Sequence, residues 1–193
     1  KRKKFIDQNP FMNTVAICDV RLQNDLSLLS GDSINYKYKE IENISEETIH
    51  NTDGKVKYCR DYKYMINNCN LDAIFVCLPN YLAADATILG LENGCHVFCE
   101  KPPARTVKEM EAVIACIERY PQLKLKYGFN HRYHDSVKKA KGIIKSKDLG
   151  KVVSFRGVYG KSSIIPFGSG WRSEKKYAGG GILLDQGIHM LDL

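Results

Sequence analysis

Lys101, Asp185 and His189 are the side chains in this sequence whose types and settings suit moving a proton. Lys101 stands in Cys99-Glu100-Lys101-Pro102-Pro103, directly after a short apolar run, where open α/β sheets place their ligands. An ammonium donates to a hydroxyl oxygen, and a neutral amine accepts the hydroxyl proton; a solvated surface lysine is the other reading. Asp185 and His189 belong to Gly179-Gly180-Gly181-Ile182-Leu183-Leu184-Asp185-Gln186-Gly187-Ile188-His189. Their i, i+4 spacing puts both on one face of a helix. Imidazole titrates near neutrality, and the carboxylate can orient either the ring or a substrate hydroxyl. The three glycines allow backbone to approach a ligand closely. The same pair also suits a buried histidine satisfied by an aspartate, or two ligands of a metal ion whose other ligands are not evident. Cys95, His96 and Cys99 form no better metal set, because residues four apart on a strand are separated by about 13 Å. No metal is expected.

Further polar residues end other apolar runs. Asp19 follows residues 14–18, and a carboxylate at such a place accepts hydrogen bonds from ribose hydroxyls and repels a 2′-phosphate, although a loop aspartate capping a turn explains it as well. Pro79 fixes a turn after residues 73–78, and the amide of Asn80 suits a ribose or nicotinamide group, although turn chemistry alone also explains the pair. Asn130-His131-Arg132-Tyr133-His134 lies where the texture of the chain changes. Asn130 can face a nicotinamide, and Arg132 can hold an anionic or polyhydroxyl substrate or tie two domains together.

These residues need a scaffold, and its period is legible. Residues 14–18, 73–78, 96–99 and 123–129 read as buried strands. Between them, residues 61–67, 82–91 and the stretch after Thr106 read as helices. Asn93-Gly94 is a stop signal, and Thr106 with Glu109 forms a capping box. That third helix is expected to bury Met110, Val113, Ile114 and Ile117. Alternation of strand and helix indicates βαβ units and a doubly wound parallel sheet. After Asn130, residues 135–145 read as an amphipathic helix with Val137, Ala140, Ile143 and Ile144 inward. Residues 152–159 read as a strand, 160–181 as a glycine-rich loop, and the remainder as an apolar helix. Residues 21–55 read as a long polar excursion with one short helix near Glu46.

A length of 193 residues with 44% hydrophobic and 26% charged content is ordinary for a soluble globular chain. No apolar run approaches the roughly 20 residues that cross a bilayer, and no membrane association or secretory signal is expected. Four of the charges behind the net +7 are Lys1, Arg2, Lys3 and Lys4, so nucleic-acid binding is not expected. The seven cysteines lack the spacing of a disulfide framework and read as reduced thiols in a cytoplasmic protein.

Together, Pro79-Asn80, Glu100-Lys101-Pro102, Gly128-Phe129-Asn130-His131-Arg132 and the 180–189 motif resemble the Gfo/Idh/MocA family of NAD(P)-dependent oxidoreductases. The resemblance implies a Rossmann domain over residues 1–129, lacking its first strand, followed over 130–193 by the start of an α/β substrate domain with an open sheet. It implies hydride transfer between a sugar or nucleotide-sugar hydroxyl and a nicotinamide cofactor. Lys101, Asp185 and His189 match the family's catalytic positions, with His189 the general base and Lys101 polarising the hydroxyl. The implied cofactor contacts are Asp19, Leu78, Pro79, Asn80, Glu100, Lys101 and Asn130, and the implied substrate contacts are Lys101, Arg132, Asp185 and His189. Asp19 favours NAD, while Arg21 leaves room for NADP. Homo-oligomeric assembly is implied as well.

The chain departs from the family pattern in three places. No glycine-rich phosphate turn precedes Asp19, residues 21–55 are longer than usual, and Ala83 stands where members often carry histidine. Residues 1–9 are expected to be the tail of the helix after that turn, and the sequence to be a piece of a longer protein. The rival reading is a non-catalytic nucleotide- or sugar-binding regulatory protein built on the same fold.

Overall fold

A computed structural model describes residues 6–19, 50–52, 56–160 and 170–193. The excursion over 21–49, Arg21 within it, the N-terminal basic residues and part of the 160–181 loop lie outside the described residues. In chain order the strands are β1 (Ala16–Cys18), β2 (His50–Thr52), β3 (Val56–Cys59), β4 (Ala73–Val76), β5 (His96–Cys99) and β6 (Leu125–Tyr127). The helices are α1 (Tyr62–Asn68), α2 (Asn80–Glu92), α3 (Val107–Glu118), α4 (Asp135–Ser146), α5 (Lys175–Ala178) and α6 (Ile188–Leu191).

Among the described residues the strands form two three-stranded sheets, ordered β1-β3-β2 and β4-β5-β6. The pairs β1–β3, β4–β5 and β5–β6 are parallel, and α2 and α3 make the crossovers of the β4–β5 and β5–β6 pairs as the α/β reading requires, whereas β2 pairs antiparallel with β3. The core lies on one face of the second sheet. Ile74, Val76, Val97 and Cys99 alternate inward, and α2 and α3 cover them with Ala83, Leu91 and Cys116. Leu91 and Val113 have no exposed surface, and burying each side chain contributes about 1.5–3 kcal/mol. On the opposite face Phe75 stacks its ring 5.5 Å from that of Phe98 and stays 37% exposed.

Local chemistry sets the helix limits. Asp61 caps α1, its Oδ1 accepting from the Lys63 N–H at 2.8 Å. α2 ends in a Schellman motif: the Cys95 N–H donates to the Gly90 carbonyl at 2.9 Å and the Gly94 N–H to Leu91 at 3.0 Å, with Gly94 at φ +77. Gly90 lets α2 lie close on β4, since a Cβ there would meet Ile74 Cδ1 at 2.3 Å. α3 starts at Thr106, whose Oγ1 accepts from the Glu109 N–H at 3.2 Å. The Glu109 carboxylate turns back on the Thr106 backbone, as the capping box requires, and also takes the Arg105 N–H at 2.7 Å and the Arg105 guanidinium.

Several expectations need correction. The 14–18 strand is only half-buried, and Ile114 is 46% exposed, because α3 buries a narrower stripe centred on Val113 and Cys116. Residues 152–160 form no strand, and no strand follows β6 among the described residues. A strand exists by pairing, and Val153 and Phe155 stand 95% and 72% exposed with no partner ladder beside them. The apolar stripe of α4 is likewise uncovered, with Ile143 and Ile144 exposed.

Candidate active site

The ends of the strands bring the predicted residues forward. Asp19 extends the β1–β3 ladder, its N–H donating to the Cys59 carbonyl at 3.0 Å. Leu78 packs against the core, and Pro79 caps the start of α2. The Glu100 N–H donates to the Val76 carbonyl at 2.9 Å, carrying the β4–β5 ladder one residue further, so that Lys101 emerges at the carboxyl end of the sheet. Gly128 follows β6 beside Glu100 because a Cβ there would meet the Glu100 carboxylate at 2.6 Å. Asn130, exposed, opens the 3-10 turn Asn130–Tyr133.

The distant 170–193 segment folds over these strand ends. The Asn80 amide donates to the Ala178 carbonyl at 2.8 Å in the interior, and the rings of Tyr81 and Tyr177 lie 5.0 Å apart. Arg105 donates to the Lys176 carbonyl at 2.8 Å. Gly179, at φ +83, sits against the backbone of Arg105, where a Cβ would meet the Arg105 Cα at 2.6 Å. The close approach that the first of the three glycines permits is therefore to the protein's own chain. Gly181 has open space around it and lines the cavity described below.

Across this seam Lys101 Nζ donates to the Asp185 carbonyl at 2.6 Å and to Asp185 Oδ1 at 3.2 Å. Asp185 Oδ2 accepts from Gln186 Nε2 at 2.8 Å. Burial pushes the Asp185 carboxyl up, but the Gln186 hydrogen bond and the charge and hydrogen bond of Lys101 outweigh it and hold the group below its ordinary range. An ammonium carries three N–H donors, so these two acceptors leave one for a substrate oxygen. Asp185 lies in a π-helical turn, Leu183–Gly187, that runs into α6, rather than in the single α-helix expected. Such turns often occur at functional sites.

His189 is buried, at 4% exposed. Its ring stacks on that of His131, centroids 4.2 Å apart and planes 18° apart, and meets Phe129 and Tyr159 edge-on at 6.3 and 6.0 Å. Burial, then the charge of Lys101, then His131 push its pKa down, and Asp185 and Asp192 oppose them only in part. The His189 ring is therefore neutral at neutral pH. Arg132 is brought beside the site but is engaged: its Nε donates to Asp192 Oδ2 at 2.7 Å and its Nη2 to Oδ1.

A cavity of about 730 Å³ opens at the seam, lined by Asn80, Arg172, Ser173, Lys175, Gly181 and Asp185 among others. The charge of Arg172 also helps hold Asp185 ionised. His131, Tyr159, Arg172 and Asp192 are site residues to which sequence reasoning gave no role here. The only signal for His131 was its place between Asn130 and Arg132 after a strand end. Among the described residues no three His, Cys, Asp or Glu side chains cluster as metal ligands.

The family model for the oxidoreductase family with an NAD-binding Rossmann fold matches residues 3–129, and that for the GFO/IDH/MocA C-terminal domain matches residues 137–193. Levoglucosan dehydrogenase of Pseudarthrobacter phenanthrenivorans is 32% identical over 135 residues, which are 69% of this chain and 34% of that protein. D-glucoside 3-dehydrogenase of Escherichia coli is 29% identical over 181 residues, 94% of this chain and 45% of that protein. A solved levoglucosan dehydrogenase in complex with NADH and levoglucosan superposes with a TM-score of 0.65 at 32% identity, covering 70% of this chain and 37% of that one. The chain thus spans less than half the length of these relatives. With both family models matched in order along it, this chain belongs to the Gfo/Idh/MocA oxidoreductase family.

Proposed function

We propose that this chain carries the cofactor-binding and proton-handling part of an NAD-dependent dehydrogenase acting on a sugar or polyol hydroxyl. The observation that carries the reading is the Lys101–Asp185 pair at the carboxyl end of β5, with neutral, buried His189 beside it. The relatives support it through their names, levoglucosan dehydrogenase and D-glucoside 3-dehydrogenase.

The donor set suits NAD. Asp19, at the end of a parallel strand, is placed to accept ribose hydroxyls and disfavours a 2′-phosphate. Leu78, Pro79, Glu100, Lys101 and Asn130 follow neighbouring strand ends and would line the nicotinamide side. Asn80, whose Nδ2 is committed to Ala178, offers its Oδ1. When bound, the nicotinamide supplies the hydride acceptor. Oxidation takes a hydride from the carbinol carbon and a proton from its oxygen, leaving a ketone. In this chain Lys101 Nζ donates to that oxygen, Asp185 holds Lys101 in place, and His189 takes the proton. Arg172 and Lys175 on the cavity wall suit an anionic group, which supports a nucleotide sugar as the finer substrate class.

Residues 1–129 and 130–193 are the two domains of this proposal. The thiols of Cys59, Cys95, Cys99 and Cys116 are buried, and a reducing, cytoplasmic setting belongs to the same proposal. Among the described residues no helix is long and apolar enough to cross a membrane. Self-association belongs to the same proposal and is read by light scattering. The test of function is the complete protein with NAD or NADP and a panel of sugars, polyols and nucleotide sugars, followed by absorbance of the reduced cofactor. NAD-linked oxidation of at least one hydroxyl substrate is expected. Absence of both turnover and NADH binding contradicts the reading.

A further inference from the structure

His131 has no part in the proton path proposed above, yet it makes the closest ring contact to His189. The two centroids are 4.2 Å apart with planes 18° from parallel, so the His131 ring covers one face of the His189 imidazole. His131 is itself braced: its ring lies 5.0 Å from that of His134 and 5.0 Å from that of Tyr159, edge-on to the latter. Tyr159 and Phe129 close on His189 edge-on. Among the described residues His189 Nδ1, buried, has no hydrogen-bond partner, so among them the ring is held by stacking and not by an acceptor at that nitrogen. The His–Asp orientation common in histidine bases is therefore replaced here by an aromatic clamp.

We propose that His131 is a positioning residue for His189, fixing the plane of the proton-accepting ring and coupling the protonation of the two. The proposal rests on the reading of His189 as the group that takes the substrate proton. Two imidazolium rings stacked at this distance repel, so the second proton is resisted and the pair titrates as a unit. Among the described residues, charged and titratable groups face His189 from several elements packed on it. They are Lys101 from the β5–α3 connection, His131 with His134 behind it, Tyr159 from the irregular segment, Asp185 from the π turn, and Asp192 beyond α6, which is tied to Arg132. Both histidines have their pKa lowered, burial leading in each case; Lys101 and His131 add to it at His189, and His134 and Lys101 at His131. Lys101 is committed to Asp185, which leaves His131 as the contributor a single exchange can neutralise while keeping an aromatic ring in place.

The test is NMR titration of the His189 side chain in the complete protein, for wild type, His131→Phe and His131→Gln, with His189→Asn to assign the resonance. In both His131 variants the His189 midpoint should rise by about half a pH unit or more, since a neighbouring cation has been removed. The acid limb of kcat/KM should move up with it. At pH 8, where His131 is neutral in wild type, His131→Phe should turn over within about twofold of wild type, whereas His131→Gln, lacking the stacked ring, should lose about tenfold in kcat. An unmoved His189 midpoint in whichever variant folds overturns the proposal. Full turnover by His189→Asn would overturn the proton-path reading instead, so the two failures are distinguishable.

Discussion

The Nδ2 of Asn80 donates to the carbonyl of Ala178 at 2.8 Å inside the protein, joining the first turn of α2 to a segment 98 residues later. An asparagine that follows a strand end suits a cofactor contact, and here half of its amide is spent on holding the site's roof. The residue thus ties the integrity of the cavity to the N-terminus of α2.

Removing that bond leaves a buried carbonyl without its partner. Asn80→Ala should lower the free energy of unfolding by about 1–3 kcal/mol, read as a shift in the urea midpoint. A midpoint within error of wild type contradicts a structural role for the amide.

Two neighbouring glycines should respond differently. Gly179→Ala combines a positive φ of 83 with a Cβ 2.6 Å from the Arg105 Cα, whereas nothing stands within 4 Å at Gly181. The first substitution should cost about 1–3 kcal/mol, and the second should stay within about 0.5 kcal/mol. Equal midpoints for the two variants would show that the seam between Arg105 and Gly179 is not tight.

Stability should fall on mild acidification. The folded-state pKa values of His131 and His189 both lie below 6.5, so the unfolded chain binds the protons first. The stability linked to the neutral rings is complete above pH 6.5 and is lost as pH drops through the folded values. The denaturation midpoint should therefore decrease from about pH 7.5 to about pH 5.5, and less steeply in His189→Asn. An identical slope in that variant contradicts the assignment.

Cofactor choice should turn on Asp19. Asp19→Asn keeps the shape and removes the charge that disfavours a 2′-phosphate. The ratio of kcat/KM for NAD over NADP should drop by about tenfold to a hundredfold, the worth of a hydrogen bond to a charged group. An unchanged ratio places the adenosine ribose elsewhere.

What was legible in the residues was local. Asn93-Gly94 predicted the end of α2, Thr106 the start of α3, and the apolar runs before Asp19, Pro79 and Glu100 the strands that present them. Each rests on chemistry within five residues. The failures share the opposite property. Residues 152–159 have a strand-like composition, but a ladder needs a partner that no local pattern supplies. The stacking of His131 on His189 and the pairing of Arg132 with Asp192 join residues about sixty positions apart, where periodicity carries no information.

In the function proposed, Lys101 and His189 handle the substrate proton, while Asp19, Leu78, Pro79, Asn80, Glu100 and Asn130 carry most of the cofactor contacts with Lys101 beside them. This assignment is tested most directly by turnover and NADH fluorescence titration of Lys101→Met and His189→Asn in the complete protein. In each variant kcat should fall by about 10²–10⁴-fold with NADH still bound, and in His189→Asn the NADH Kd should stay within about threefold of wild type. Turnover near wild type in both variants, with NADH still bound, would contradict it.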